Sequence, residues 1–178
     1  MRHDCGSGFP HGDEGCKVPL MNASVQFRGQ RYASCAARPD TDAASPPPAV
    51  LIIGPAGAGK SDLLLRLMDR GFRLVADDRV DICDGLASPP MALAGLIEIR
   101  GLGIMVSPYV PLAKLSLVVS LETEERLPSP RRDSQLDLPL IAIDPHAASA
   151  PCRVEWALEC ALGCRASRAG AFAQEEAV

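Results

Sequence analysis

A chain of 178 residues with 47% apolar content is long enough for one domain with a hydrophobic core, and no stretch of it reads as a membrane span or signal peptide. A formal net charge of -4, with Arg dispersed among Asp and Glu, leaves no basic stripe; the expected setting is cytoplasmic, with no nucleic-acid and no membrane partner. Seven cysteines without a C-x-x-C pair signal neither a disulfide framework nor a zinc knuckle.

In chain order, residues 1–20 form a polar, Gly-rich leader in which His3, Cys5, His11 and Cys16 stand too irregularly for a metal site. Met21, a candidate translation start, precedes NASVQFRG, whose alternation predicts a strand. Residues 30–48 turn to Ala, Ser, Asp, Arg and Pro and end in SPPP, which predicts a mobile inserted loop. AVLIIG is a continuous apolar run, as in a strand buried on both faces. SDLLLRLMDRG reads as a helix with Leu63, Leu64, Leu67 and Met68 on one face and Gly71 at its end. FRLVADDRVDI predicts the next strand, and GLIEIRGLGI, KLSLVVSL and LPLIAID supply further apolar segments. A last helix is predicted from Val154 to about Arg165, with Trp156, Leu158 and Leu162 on its apolar face, before a polar tail over residues 169–178. The expectation is a single α/β domain over residues 21–168, a mixed sheet with flanking helices.

The chemistry concentrates in three stretches. Gly54, Pro55, Ala56, Gly57, Ala58, Gly59, Lys60 and Ser61 fit G-x-x-x-x-G-K-[ST] between a predicted buried strand and a predicted helix, where glycines let successive N–H groups face phosphate oxygens. Lys60 would reach the β- and γ-phosphates of a nucleotide, and Ser61 would offer its hydroxyl to Mg²⁺. Asp77 and Asp78 stand at the end of the following strand, and alternation would aim them in opposite directions, so that one need face the γ-phosphate. Glu98 and Arg100, two apart among apolar residues and glycines, would share a strand face. They read either as an ion pair or as a metal ligand and a guanidinium that stabilises a transferring phosphoryl group.

Together, GPAGAGKSD, RGFRLVADDRV and GLIEIRGLGI resemble the catalytic domain of the HPr kinase/phosphorylase family over roughly residues 22–165, in its short alphaproteobacterial form. The resemblance implies a P-loop fold of the HPr kinase/PEP carboxykinase-like kind, with ATP and Mg²⁺ as cofactors. It implies that Lys60 contacts phosphate, that Ser61 and Glu98 bind Mg²⁺, and that Asp78, supported by Asp77, activates the acceptor serine; Arg100 lies in the segment serving both directions of the reaction. The acceptor would be HPr or the nitrogen-related HPr-like phosphocarrier, and self-association is expected. Three departures stand out: Asn22 in NASV replaces the histidine of the family's H-A-x-x-V, the 30–48 segment enlarges a tight connection, and DPHAASAPCRV, with His146, replaces a segment linked to phosphorolysis. The expected function is therefore an ATP- and Mg²⁺-dependent protein serine kinase with doubtful reverse phosphorolysis. The alternative is a weakened nucleotide-binding module that docks the phosphocarrier. A small-molecule kinase fits IEIRGLGI poorly.

Overall fold

The computed structural model describes residues 27–39 and 45–173. In chain order its elements are β1 (Arg28–Ala37), β2 (Pro48–Ile53), α1 (Lys60–Asp69), β3 (Arg73–Ala76), β4 (Arg79–Cys83), β5 (Leu86–Ser88), a 3₁₀ turn (Met91–Leu93), β6 (Leu96–Ile99), β7 (Gly103–Val106), β8 (Ala113–Ser120), β9 (Leu140–Ala142) and α2 (Ala150–Ala161). Among the described residues no helix is long and apolar enough to cross a membrane.

The large sheet is mixed. β1 runs antiparallel to β2, β3 and β4, whereas β2, β8 and β9 are mutually parallel, and β6–β7 form a separate hairpin. The pairings β2–β1–β4–β5–β8–β2 close on themselves, giving the sheet an inside and an outside. Small and branched side chains fill the inside: Ala33, Cys35, Ala37, Ala49, Leu51, Val80 and Val118. The outside of the same strands, with Ala36, Val50, Ile52, Leu117 and Val119, packs on Leu63, Leu64 and Leu67 of α1 and on Val154 and Leu158 of α2. Strict alternation thus feeds two cores from one strand. Burial pushes the Cys35 thiol far above its ordinary value and leaves it protonated.

Two irregularities shift this alternation. On β8, Leu115 faces inward and Leu117 outward although they are two apart, because Ser116 is skipped in the register with β2. On β3, the register with β1 passes from Ala76 to Leu74, so Val75 and Ala76 both point inward. A bulge of this kind re-aims the next side chain. Here it turns Asp77 toward α1.

Several expectations are corrected. The segment 30–48 is not an inserted loop throughout: β1 runs through it to Ala37, in the midst of the sheet. Its Ala-rich composition, which suggests a loop, is what the narrow interior of the closed sheet accommodates. FRLVADDRVDI is not one strand but β3 and β4, parted at Asp77 and Asp78. The last helix spans Ala150–Ala161 and buries Ala150, Pro151, Val154, Ala157 and Leu158. Trp156 and Leu162 are exposed, the Trp156 ring lying 3.7 Å under the Arg165 guanidinium. Within the tail, Ala171 and Phe172 pack against the helix-side core. The leader cluster, Met21 and Asn22 lie outside the described residues.

One surface network ties the elements together. Glu155 of α2 accepts hydrogen bonds from Arg70, which follows α1, and from Arg38, which follows β1. The hydrogen bond from Arg70 holds the Glu155 carboxyl below the usual carboxylate range, helped by the charges of both arginines and opposed by desolvation. The folded state then binds fewer protons than the unfolded chain in the ordinary Glu range. The stability from this group is therefore full above that range and is lost as pH falls through the lowered value. Glu155→Gln should flatten the loss of Tm between about pH 5 and pH 3, as read by thermal melts across that window.

Candidate active site

The glycine-rich segment joins the buried strand β2 to α1, as its pattern requires. Gly57 and Gly59 have φ of 77° and 94°, a left-handed backbone that residues with a Cβ rarely adopt. Gly59 precedes the first turn of α1, and no side chain caps that turn, so its amides remain available to an anion. Lys60 folds back over the loop, its Nζ donating to the Gly54 and Pro55 carbonyls at 3.0 and 2.9 Å.

Asp77 is the hub. It is 5% exposed, and its Oδ1 accepts hydrogen bonds from Ser61 Oγ at 2.9 Å and from Ser34 Oγ at 2.6 Å. Its Oδ2 accepts the Glu98 backbone N–H at 3.2 Å. Three donors from α1, β1 and β6 thus converge on one carboxylate and satisfy its buried charge. The β3 bulge makes this possible.

Asp78 differs in every respect. It is exposed, has φ of 67°, and its carboxylate accepts no hydrogen bond from any described residue. Its backbone carbonyl accepts the Ala33 N–H at 3.1 Å, which fixes the turn against β1. Beside it, Arg79 stacks on the Tyr32 ring at 5.0 Å and donates to the phenol oxygen at 3.2 Å. Tyr32 and Ser34 are two apart on β1, and Tyr32 pairs with Arg79 across the β1–β4 ladder.

Glu98 and Arg100 separate. Glu98 lies on β6 between the inward-packed Ile97 and Ile99, with its side chain exposed, while Arg100 falls past the strand in the hairpin turn. The expected shared strand face is therefore absent, because the chain turns at Arg100. The two form no ion pair with each other among the described residues. Past the turn, β7 is fully exposed, with Ile104 at 70% and Val106 at 85%.

Two contributors were not apparent in the sequence. Ser34 lies in a segment whose composition resembles a loop, and 43 positions separate it from the Asp77 that it binds. Arg66, on α1, donates to the carbonyls of Pro145, Ala147 and Ala148 and so pins the loop after β9. Ser34→Ala should remove a hydrogen bond to a buried charge and destabilise the fold by about 2 kcal/mol, measured by urea denaturation.

Among the described residues no three His, Cys, Asp or Glu side chains gather into a metal cage. The Ser61 hydroxyl beside the Asp77 carboxylate still suits Mg²⁺, a hard cation that takes few protein oxygens and completes its shell with water and substrate phosphates.

Residues 48–126, from β2 through β8 and the loop beyond it, match the family model described as the HPr Serine kinase C-terminal domain. Over this segment the chain is similar to an HPr kinase domain. An HPr kinase/phosphorylase of Clostridium tetani is 46% identical over 78 residues, which are 42% of this chain and 25% of the relative. One of Enterococcus faecalis is 43% identical over 89 residues, 43% of this chain and 29% of the relative. The matched stretch thus spans between a quarter and a third of these curated relatives. The solved structure of the Hpr(Ser) kinase/phosphatase from Coxiella burnetii superposes with a TM-score of 0.57 at 29% identity, covering 71% of this chain and 86% of that one. The segment matching the family model holds the glycine-rich loop, both aspartates and the β6–β7 hairpin, while Ser34 comes from outside it, on β1.

Proposed function

We propose that this chain is an ATP- and Mg²⁺-dependent protein serine kinase acting on HPr or a closely related phosphocarrier. The observation that carries the reading is the union of Lys60, Ser61 and Asp77 at the carboxyl end of a buried strand, with a second, unencumbered carboxylate, Asp78, next in the chain.

In this reading the backbone N–H groups of residues 56–61 and the Lys60 side chain cradle the triphosphate, Lys60 leaving its resting partners Gly54 and Pro55. Mg²⁺, when bound, neutralises charge on the β- and γ-phosphates. Ser61 would offer it an oxygen while its hydroxyl donates a hydrogen bond to Asp77, and Glu98, whose amide donates to Asp77, would supply a further carboxylate oxygen. Asp78 takes the proton of the acceptor serine as the serine oxygen bonds to the γ-phosphorus and the bond to the ADP oxygen breaks. Arg100, at the hairpin turn, supplies positive charge to the transferring group. The exposed apolar face of the β6–β7 hairpin beside the site suits a protein acceptor better than a metabolite.

A second reading, a nucleotide-binding module with weak transfer, draws on Asn22 in place of the family's histidine and on one observation: among the described residues no histidine side chain hydrogen-bonds to Asp77 or Asp78. Turnover separates the readings. ATP hydrolysis or transfer that rises on adding HPr and ignores small metabolites supports the protein kinase. Stimulation by a metabolite alone would refute it.

A further inference from the structure

We propose that Arg66 is a positioning residue of the phosphate site: by fixing the turn after β9 it holds Pro145 against Gly59, and so keeps the glycine-rich loop in its anion-receiving form. The proposal rests on the reading of residues 54–61 as a phosphate loop. It goes further by assigning part of that loop's shape to two residues outside the motif.

A loop built on glycines does not hold its own shape. Gly57 and Gly59 sit at φ of 77° and 94°, and a glycine takes up negative φ about as readily. A loop that is ordered only on binding loses affinity to that ordering. On one side of Gly59 the helix supplies a restraint, since the Gly59 carbonyl accepts the Leu63 N–H at 2.9 Å. The Cα face needs another. Pro145 is buried and covers that face, its Cβ and Cγ lying 3.5 and 3.6 Å from where a Cβ on Gly59 would stand. Gly57 has no such neighbour within 4 Å among the described residues, so the backing is confined to the glycine next to Lys60.

Pro145 can act as a backing only if its own seat is fixed. Arg66, further along α1, donates to the Pro145 carbonyl at 2.6 Å and to those of Ala147 and Ala148 at 2.8 and 3.3 Å. A planar fork spread over three carbonyls sets both the place and the direction of a turn, which an ammonium cannot reproduce. Asp62, one helical turn back, lies 3.6 Å from the same guanidinium and keeps it over the turn. The turn is braced from its other end by Glu124, which accepts the Asp144 N–H and is itself bound by Arg153 of α2. It belongs to DPHAASAPCRV, the stretch in which this sequence departs from the family pattern. The contacts form a circuit: α1 reaches the turn through Arg66, and the turn returns to the start of α1 through Pro145 and Gly59. Breaking either contact opens it.

The test is a double-mutant cycle on the full chain, read by calorimetry of inorganic tripolyphosphate with Mg²⁺ and by thermal melts. Arg66→Lys keeps the positive charge and loses the fork, whereas Pro145→Gly removes the ring and keeps the carbonyl that Arg66 binds. Each should weaken tripolyphosphate by about fivefold, and the double variant by no more than about twofold beyond the weaker-binding single variant, because both open one circuit. Variants that leave tripolyphosphate affinity unchanged, whether or not Tm falls, would overturn the proposal and leave the phosphate loop standing. Effects that multiply in the double variant would overturn it as well. An unaltered chain that binds no tripolyphosphate would overturn both the proposal and the phosphate-loop reading.

Discussion

Asp78→Asn should slow phosphoryl transfer to a protein serine by about 10²- to 10⁴-fold while leaving ATP affinity and Tm nearly unchanged. The substitution is chosen for the backbone: φ is 67° at Asp78, and Asn, like Asp, tolerates that left-handed geometry better than other side chains with a Cβ. The carboxylate accepts no hydrogen bond from the described residues, so its loss strands no partner. An amide of the same shape cannot take the serine proton. Steady-state transfer rates, alongside calorimetric ATP binding and a thermal melt, check the three parts together. If transfer survives, the base is another group.

Asp77→Ala should behave in the opposite way on stability. It leaves two hydroxyls and one amide, from Ser34, Ser61 and Glu98, without their shared acceptor in a buried place. The loss should be about 3 kcal/mol, or a fall in Tm of about 6–12 °C for a domain of this size. Transfer should also be lost, because Ser61 would no longer have the carboxylate that accepts its hydrogen bond and would orient its oxygen toward Mg²⁺. A variant that kept both Tm and transfer would show that the convergence on Asp77 has neither structural nor catalytic weight. Adjacent in sequence, the two aspartates should thus separate cleanly, one altering rate alone and the other altering fold and rate.

Their separation shows how far the sequence is legible. The glycine-rich loop could be read because its requirements are local: a buried strand, a run of glycines and a helix start lie within a short window. The acid pair could be found for the same reason. Which acid faces the loop could not, because that depends on the bulge at Val75 and Ala76, and the bulge exists only in register with β1. β1 itself was hidden: its Ala, Ser and Cys resemble a loop unless the sheet is known to close around a narrow interior. Ser34 was hidden with it. Arg100 was misplaced because a two-residue spacing shares a face only while the strand continues, and the chain turns after Ile99. Trp156 and Leu162, counted with Leu158 on the apolar face of the last helix, lie outward, Trp156 beneath Arg165.

The central claim is that this arrangement moves a phosphoryl group onto a protein serine. Its most direct test is the intact mass of HPr after incubation with the purified chain, ATP and Mg²⁺, with peptide mapping of the modified residue. A single phosphate adduct on a serine, absent with Lys60→Ala, is the predicted result. Unmodified HPr in the presence of a chain that binds ATP would contradict the kinase and leave a nucleotide-binding module in its place.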